Sequence, residues 1–166
     1  DIPYPGGPLL DKLAETGDDQ AYRFPKVTTQ GLYDFSFSGL KTAVINQAHS
    51  LRQQGKAIDQ AGFAASFRRA VVQMLVEKTV QAATDAGIKR LAAAGGVAAN
   101  ALLRRELIRV GEAAGLTVYL PPPRLCTDNA EMIGSAAFYR LMALEVADLS
   151  LNADPSTRLS GLGGME

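Results

Sequence analysis

The 166-residue sequence predicts an α/β domain with a partly parallel sheet. Two apolar segments, "IKRLAAAGG" and "GLTVYLPPP", end in glycine or proline and indicate two strands. Helical periodicity lies before, between and after them. The order helix, strand, helix, strand, helix is typical of domains in which helices cover parallel strands.

The amino-terminal third predicts a mixture of helix and strand. A proline-glycine turn leads into a short helix, for which Gly17 is the expected stop. The alternation of aromatic and small polar residues over 35–38 predicts one or two strands, paired in a hairpin around Gly31. A helix over 41–54, ended by Gly55, is expected next.

The remaining two thirds are dominated by helical periodicity. Residues 57–86 predict the longest helix, whose buried face carries residues spaced by three and four: Phe63, Phe67, Val71, Leu75 and Val76. Helices are also expected over 98–114 and over 126–147, the latter with Thr127 or Asp128 at its amino end. The Gly- and Ser-rich residues 148–166 predict a loose tail.

Composition excludes several classes of protein. Seventeen basic residues balance seventeen acidic ones, so no field of the whole chain favours nucleic acid or membrane. The single cysteine, Cys126, excludes an internal disulfide and is typical of the cytoplasm. The single histidine, His49, excludes a metal site built from several histidines. No apolar run is long enough to cross a bilayer, and the start at Asp1 rather than Met suggests a piece of a longer protein.

The strongest local signal is "AAAGGVAANALLRREL", residues 92–107. A strand, the pair Gly95-Gly96 and a helix follow one another, which is the geometry of a phosphate cradle at a helix amino terminus. The segment matches neither the Walker nor the GxGxxG pattern, so taken alone a structural turn is favoured. Asn100 either caps the helix or binds a base or ribose. The arginines that follow, Arg104, Arg105 and Arg109, predict either a solvated helix face or a contact to an RNA backbone, and the solvated face is favoured.

Two further segments allow both a structural and a functional interpretation. In "YPGGPLLDKLA", Asp11 lies one helical turn after Gly7 and either faces the same ligand or is a solvated carboxylate. In "CTDNAEMIG", Asp128 is either a helix cap, with Glu131 as its capping-box partner, or a metal ligand. For a lone carboxylate the cap is favoured.

These weak motifs occur together and in one order. "DIPYPGGPLLDKLA", "DFSFSGLKTAV", "AAGGVAANALLRREL" and "LCTDNAEMIG" closely resemble the TsaD/Gcp/YgjD family, formerly called O-sialoglycoprotein endopeptidases, and the resemblance runs to about Arg140. It implies an actin-like (ASKHA, ribonuclease H-like) lobe with a mixed sheet flanked by helices. It also implies a cytoplasmic tRNA N6-adenosine threonylcarbamoyltransferase. Such an enzyme moves threonylcarbamoyl from threonylcarbamoyl-AMP to the adenosine beside the anticodon.

The resemblance assigns roles to six residues. Gly7, Asp11, Gly95, Gly96 and Asn100 are the expected contacts to ATP or threonylcarbamoyl-AMP. Asp128 is the expected ligand of one divalent ion, iron or zinc. No catalytic residue is assigned, because a metal and a glycine-rich cradle can polarise a carbonyl and neutralise a phosphate leaving group without a protein nucleophile.

The family's amino-terminal half, with its HxxxH metal ligands, is missing from the sequence. Residues 1–147 are therefore expected to be a carboxy-terminal lobe that is inactive alone and binds nucleotide weakly. The expected partners are the missing lobe, tRNA, TsaB- and TsaE-like proteins and a second copy of the chain. An ATPase or kinase lobe of the same superfamily and a non-catalytic interaction module remain as alternatives.

Overall fold

The computed structural model describes residues 3, 5–26 and 29–152. Helices and strands follow in the order α1 (Gly6–Ala14), α2 (Phe37–Gln53), α3 (Gln60–Asp85), β1 (Arg90–Ala92), α4 (Ala101–Ala113), β2 (Thr117–Tyr119) and α5 (Ala130–Met142). The α/β class is confirmed. Two compact units divide the chain, one up to Asp128 and one from Asn129 onward. None of the helices in the described ranges has the length and apolarity of a membrane span.

The sheet of the first unit is a parallel pair joined by a helical crossover. Leu91 of β1 lies opposite Val118 of β2, and α4 makes the connection that parallel strands require. A Cβ atom at Gly111 of α4 would lie 2.6 Å from Val118 Cγ2, so the helix packs closely on the strand. The two strands predicted from "IKRLAAAGG" and "GLTVYLPPP" are confirmed. A mixed sheet was expected, but the strands of the described residues are parallel only.

Helix α3 carries both buried clusters of the first unit. One cluster joins α3 to α4 and the start of β2 and comprises Val72, Val76, Val80, Ala83, Leu103, Leu107 and Leu116. The other joins Ala64 and Ala65 to Ala14 of α1. Small residues form this second contact, since α1 approaches α3 closely. The buried face predicted for this helix is therefore only partly confirmed. Val76 is buried, whereas Phe63 and Phe67 are partly exposed.

The hairpin predicted around Gly31 is wrong. Residues 22–26 and 29–36 form no strand, and α2 begins at Phe37. The Ser36 side chain accepts a hydrogen bond from Gly39 N at 3.4 Å, so this serine starts a helix rather than continuing a strand. Phe35 and Phe37 stack with ring centroids 6.1 Å apart instead of alternating across a sheet.

Helix α3 holds the segment before α2 in place. Lys78 Nζ donates to Thr29 Oγ1 at 2.7 Å and to the Asp34 carbonyl. Tyr33 donates its hydroxyl to Asp85 at 2.9 Å. These bonds join residues at least 44 positions apart, so no local pattern could reveal them.

The start of α5 also differs from the prediction. Neither Thr127 nor Asp128 is the cap: Asn129 Oδ1 accepts a hydrogen bond from Met132 N at 3.0 Å. The helix ends at Met142 rather than at residue 147, and Leu144 adopts the left-handed conformation with φ 59°. Residues 153–166 of the predicted tail lie outside the described residues, and the boundary at 148 stays a prediction.

One carboxylate on α4 links the stability of the first unit to pH. Hydrogen bonds from Arg109, at 2.7 and 3.0 Å, hold the pKa of Glu106 below its ordinary value. Partial burial raises this pKa by a smaller amount, and Arg105 lowers it further. A carboxylate whose pKa is lower in the folded state stabilises that state above its unfolded pKa, about 4.3. This stabilisation is lost as the pH falls through the folded pKa.

Replacing Glu106 by Gln is therefore expected to reduce stability at pH 7 and to make less difference at about pH 2, because protonation of the wild-type carboxyl removes its charge as the pH falls. Urea unfolding of both proteins at the two pH values checks this. An equal loss of stability at both pH values would contradict the charge-assisted origin of the effect.

The buried cluster between α3 and α4 predicts very different stability losses for alanine substitutions at two neighbouring residues of α4. Leu107→Ala should lower the free energy of unfolding by about 2–5 kcal/mol, because it leaves a cavity between α3 and α4. Ile108 is 39% exposed, so Ile108→Ala should cost less than about 1 kcal/mol. Chemical denaturation measures both, and similar losses would show that α4 does not pack through Leu107.

Candidate functional site

Asp11 is the centre of a polar contact between three helices. Asn100, which precedes α4, donates its Nδ2 to Asp11 Oδ1 at 2.8 Å, across 89 residues of sequence. Arg68 of α3 donates Nη1 to the same oxygen at 3.1 Å. The glycine segment of α1 and the glycine segment before α4 are thus directly joined through two predicted site residues.

Asn100 is bound at both ends of its amide. Its Oδ1 accepts a hydrogen bond from Leu103 N at 3.0 Å and caps α4, as one of the two sequence interpretations proposed. The amide nitrogen then has to point away from the helix, towards α1. The cap and the contact to Asp11 therefore depend on the same side-chain orientation.

A hollow of about 140 Å³ lies beside this contact. Its polar edge contains Gly7, Asp11, Arg68 and Asn100, and its floor consists of apolar side chains, among them Phe67 and Leu75 of α3. Complete small-molecule sites usually measure about 300–1,000 Å³, so the hollow has room for part of a ligand. Two larger hollows of the same unit, about 310 and 670 Å³, contain none of the predicted site residues.

The glycine pair forms the turn between β1 and α4. Gly95 has φ 87°, a conformation that favours glycine, and Gly96 begins a 3-10 helix that leads to Asn100. A Cβ atom at Gly7, Gly95 or Gly96 would meet nothing within 4 Å, so the backbone there is open to an approaching group. The structural turn is confirmed, and the phosphate contact stays a prediction.

Asp128 is an exposed residue at the end of the first unit. Two positions earlier, the sulfur of Cys126 lies 3.8 Å from Arg104 Nη1, which also donates to the Ala98 carbonyl at 3.0 Å. Arg104 thereby ties the segment before Asp128 to the glycine turn and is not a solvated side chain. The described residues contain no group of three His, Cys, Asp or Glu side chains suited to a metal, so Asp128 does not form a metal site with them.

Sequence reasoning missed Arg68. An arginine on a long helix with charged neighbours looks like a solvated side chain, and its carboxylate partner lies 57 residues away. The available signal was its position beside Phe67, on the turn of α3 that packs against α1. That signal is visible only once the packing of α1 on α3 is known.

The arrangement is that of an α/β domain in which a glycine turn after a parallel strand, a helix cap and a carboxylate converge, the place where ligands bind in many such domains. The profile of the TsaD family, described as tRNA N6-adenosine threonylcarbamoyltransferase, matches residues 1–135. The chain belongs to this family.

Similar full-length proteins carry the same description. A protein of Moorella thermoacetica named tRNA N6-adenosine threonylcarbamoyltransferase is 52% identical over 160 residues, which cover 96% of this chain and 47% of the relative. Proteins of the same name from Symbiobacterium thermophilum and Clostridium perfringens strain 13 are 50% and 45% identical, over 97% and 94% of this chain and 47% and 46% of the relatives. The chain thus spans about half the length of the curated relatives it matches.

Asn100 both caps α4 and donates to Asp11, so replacing it by aspartate, which normally preserves a cap, should lower the free energy of unfolding. Asn100→Asp keeps the oxygen that accepts from Leu103 N, but it brings a second carboxylate against Asp11 and should lower the free energy of unfolding by about 1–3 kcal/mol. The reverse exchange at the cap of α3, Asp59→Asn, should change it by less than about 0.5 kcal/mol, since the two residues cap equally well. Thermal or urea unfolding compares the two, and an equally small effect of Asn100→Asp would contradict the Asp11 contact.

Proposed function

We propose that this chain supplies one wall of the nucleotide cleft in a tRNA N6-adenosine threonylcarbamoyltransferase. The single observation that carries the proposal is the hydrogen bond between Asn100 and Asp11, because it joins α1, which carries Gly7, to the residue that follows the glycine turn, beside one hollow with a largely apolar lining. Family membership and the names of the relatives support the substrate class. The actin-like lobe and a cytoplasmic location are part of the same proposal.

The apolar floor and the polar edge of the hollow suit different parts of a nucleotide. Aliphatic and aromatic side chains favour the face of a base or sugar, whereas Asp11 and Asn100 offer hydrogen bonds to hydroxyl or amine groups. The open backbone at Gly95 and Gly96, before the amino terminus of α4, suits the phosphate of ATP or threonylcarbamoyl-AMP.

The proposed chemistry is acyl transfer from a mixed anhydride. The N6 amine of the tRNA adenosine attacks the carbonyl carbon of threonylcarbamoyl-AMP, the bond from this carbon to the phosphate oxygen breaks, and AMP leaves. The amine loses one proton to solvent. Backbone N–H groups of the glycine turn favour the negative charge on the departing phosphate, and no covalent intermediate with the protein is needed.

The metal ion of the proposal, iron or zinc, requires ligands beyond this chain. A catalytic metal in a protein usually has three protein ligands, and Asp128 supplies one carboxylate. We therefore propose that the other ligands belong to the part of the relatives that the chain does not cover. TsaB- and TsaE-like proteins, tRNA, the remaining lobe and a second copy of the chain are the proposed partners.

Titration of the ¹⁵N-labelled chain with ATP tests the cleft. We expect weak binding that shifts the amide signals of Gly7, Gly95, Gly96 and Asn100. Asp11→Ala should weaken it about tenfold, the usual effect of losing a hydrogen bond to a charged group. The control Asp19→Asn alters a carboxylate at a separate hollow and should bind ATP like the wild type. Shifts confined to other surfaces, or none at all, would contradict the proposed cleft.

A chimera tests the reaction itself. The uncovered portion of the Moorella thermoacetica relative is fused to this chain, and the chimera is assayed with tRNA, threonylcarbamoyl-AMP and TsaB- and TsaE-like proteins. We expect transfer by the chimera and none by the chain alone, with Asn100→Ala in the chimera strongly impaired. A chimera that folds and binds ATP but modifies no tRNA would show that the function is wrong. Transfer by the isolated chain would contradict the need for outside ligands.

A further inference from the structure

Arg68 joins the end of α1 to the carboxylate of Asp11. Its Nη1 donates to the Asp11 carbonyl at 3.2 Å and to Asp11 Oδ1 at 3.1 Å, and its Nη2 donates to the Ala14 carbonyl at 3.1 Å. Both carbonyls lie in the last turn of α1, where helix carbonyls lack intrahelical partners. One guanidinium therefore caps a helix and holds a site residue.

The contact is substantially shielded from solvent. The side chains of Arg68 and Asp11 are 19% and 30% exposed. Arg68 Nε is buried without a hydrogen-bond partner in the described part of the chain, although an unsatisfied buried donor carries an energetic cost. The orientation of the guanidinium directs both Nη groups to α1 and Asp11 and leaves Nε without a partner. This arrangement is the one expected of a side chain that holds another in place.

Both side-chain donors bind the same carboxylate oxygen. Arg68 and Asn100 each donate to Asp11 Oδ1, and Oδ2 accepts no hydrogen bond from the described residues. Because Asp11 borders the hollow, Oδ2 is the oxygen left for a ligand. Two donors from different helices fix the carboxylate more firmly than either alone, since the planar guanidinium also defines a direction.

We infer that Arg68 is a positioning residue: it sets α1 and the carboxylate of Asp11 so that Oδ2 meets a hydroxyl or amine donor of the bound nucleotide. This inference rests on the proposed function for the identity of the ligand. Arg68 acts through Asp11, because its two Nη groups are engaged with α1. The experiments compare this positioning role with a purely structural one, in which Arg68 only holds α1 on α3.

The first experiment needs no ligand. The side-chain amide signal of Asn100 reports its bond to Asp11, and it is compared in the wild type, Arg68→Met and Arg69→Met. Arg69 is the matched control, since it is the next residue of α3 and borders a different hollow. We expect Arg68→Met to shift this signal and Arg69→Met to leave it unchanged. An unchanged signal in folded Arg68→Met would overturn the inference.

The second experiment measures ATP affinity by the same titration. Arg68→Met should weaken binding about fivefold, and this loss should disappear when Asp11 is already alanine, since coupled residues are not additive. An equal loss with and without Asp11 would show that Arg68 acts on structure alone. If Arg68→Met does not fold, Arg68→Lys keeps the charge without the planar fork and should show a smaller loss with the same dependence on Asp11.

The two readouts separate the inference from the proposed function. If the wild type binds no ATP while the Asn100 signal responds to Arg68→Met, the nucleotide is wrong and the orientation of Asp11 by Arg68 stands. If ATP binds at the glycine turns and Arg68→Met changes neither the signal nor the affinity, the proposed function stands and the role of Arg68 is wrong.

Discussion

The packing of α3 between α1 and α4 is the constraint on which the rest of the first unit depends. This 26-residue helix buries small side chains against α1 along one part of its length and branched ones against α4 along another. Close approach of α1 requires small side chains such as alanine at the contact, since larger ones would separate the helices. Because both neighbours are held by the same helix, Asp11 and Asn100 reach hydrogen-bond distance.

That constraint also explains the character of the hollow. Its apolar lining comes largely from the face of α3 between α1 and α4, and its polar edge lies where Gly7 and Asp11 of α1 meet Asn100, the cap of α4. The hollow is smaller than a complete ligand site, and Asp128 belongs to no group of three ligating side chains among the described residues. The curated relatives are about twice as long as this chain, which agrees with the proposal that residues outside it complete the site.

The errors of sequence interpretation have local physical causes. The alternation of aromatic and small polar residues over 35–38 is compatible with a strand. A serine that accepts a hydrogen bond from the backbone amide three residues later favours the start of a helix instead, and the chain forms the helix. At α5 three consecutive residues, Thr127, Asp128 and Asn129, can all cap a helix. Their chemistry is too similar to choose between them, and the backbone path decides for Asn129.

The sequence by itself predicted the α/β class, the two parallel strands and a turn at Gly95, and it offered a cap as one of two interpretations of Asn100, because each of these depends on neighbours a few positions away. It also pointed to Gly7, Asp11 and Asp128 through four motifs in one order. Only the tertiary structure decided that Asp11 meets Asn100, that Arg68 binds both Asp11 and the end of α1, and that Asp128 belongs to no group of three ligating side chains among the described residues. Such contacts join residues more than 50 positions apart, and helix packing rather than local pattern determines which of them meet.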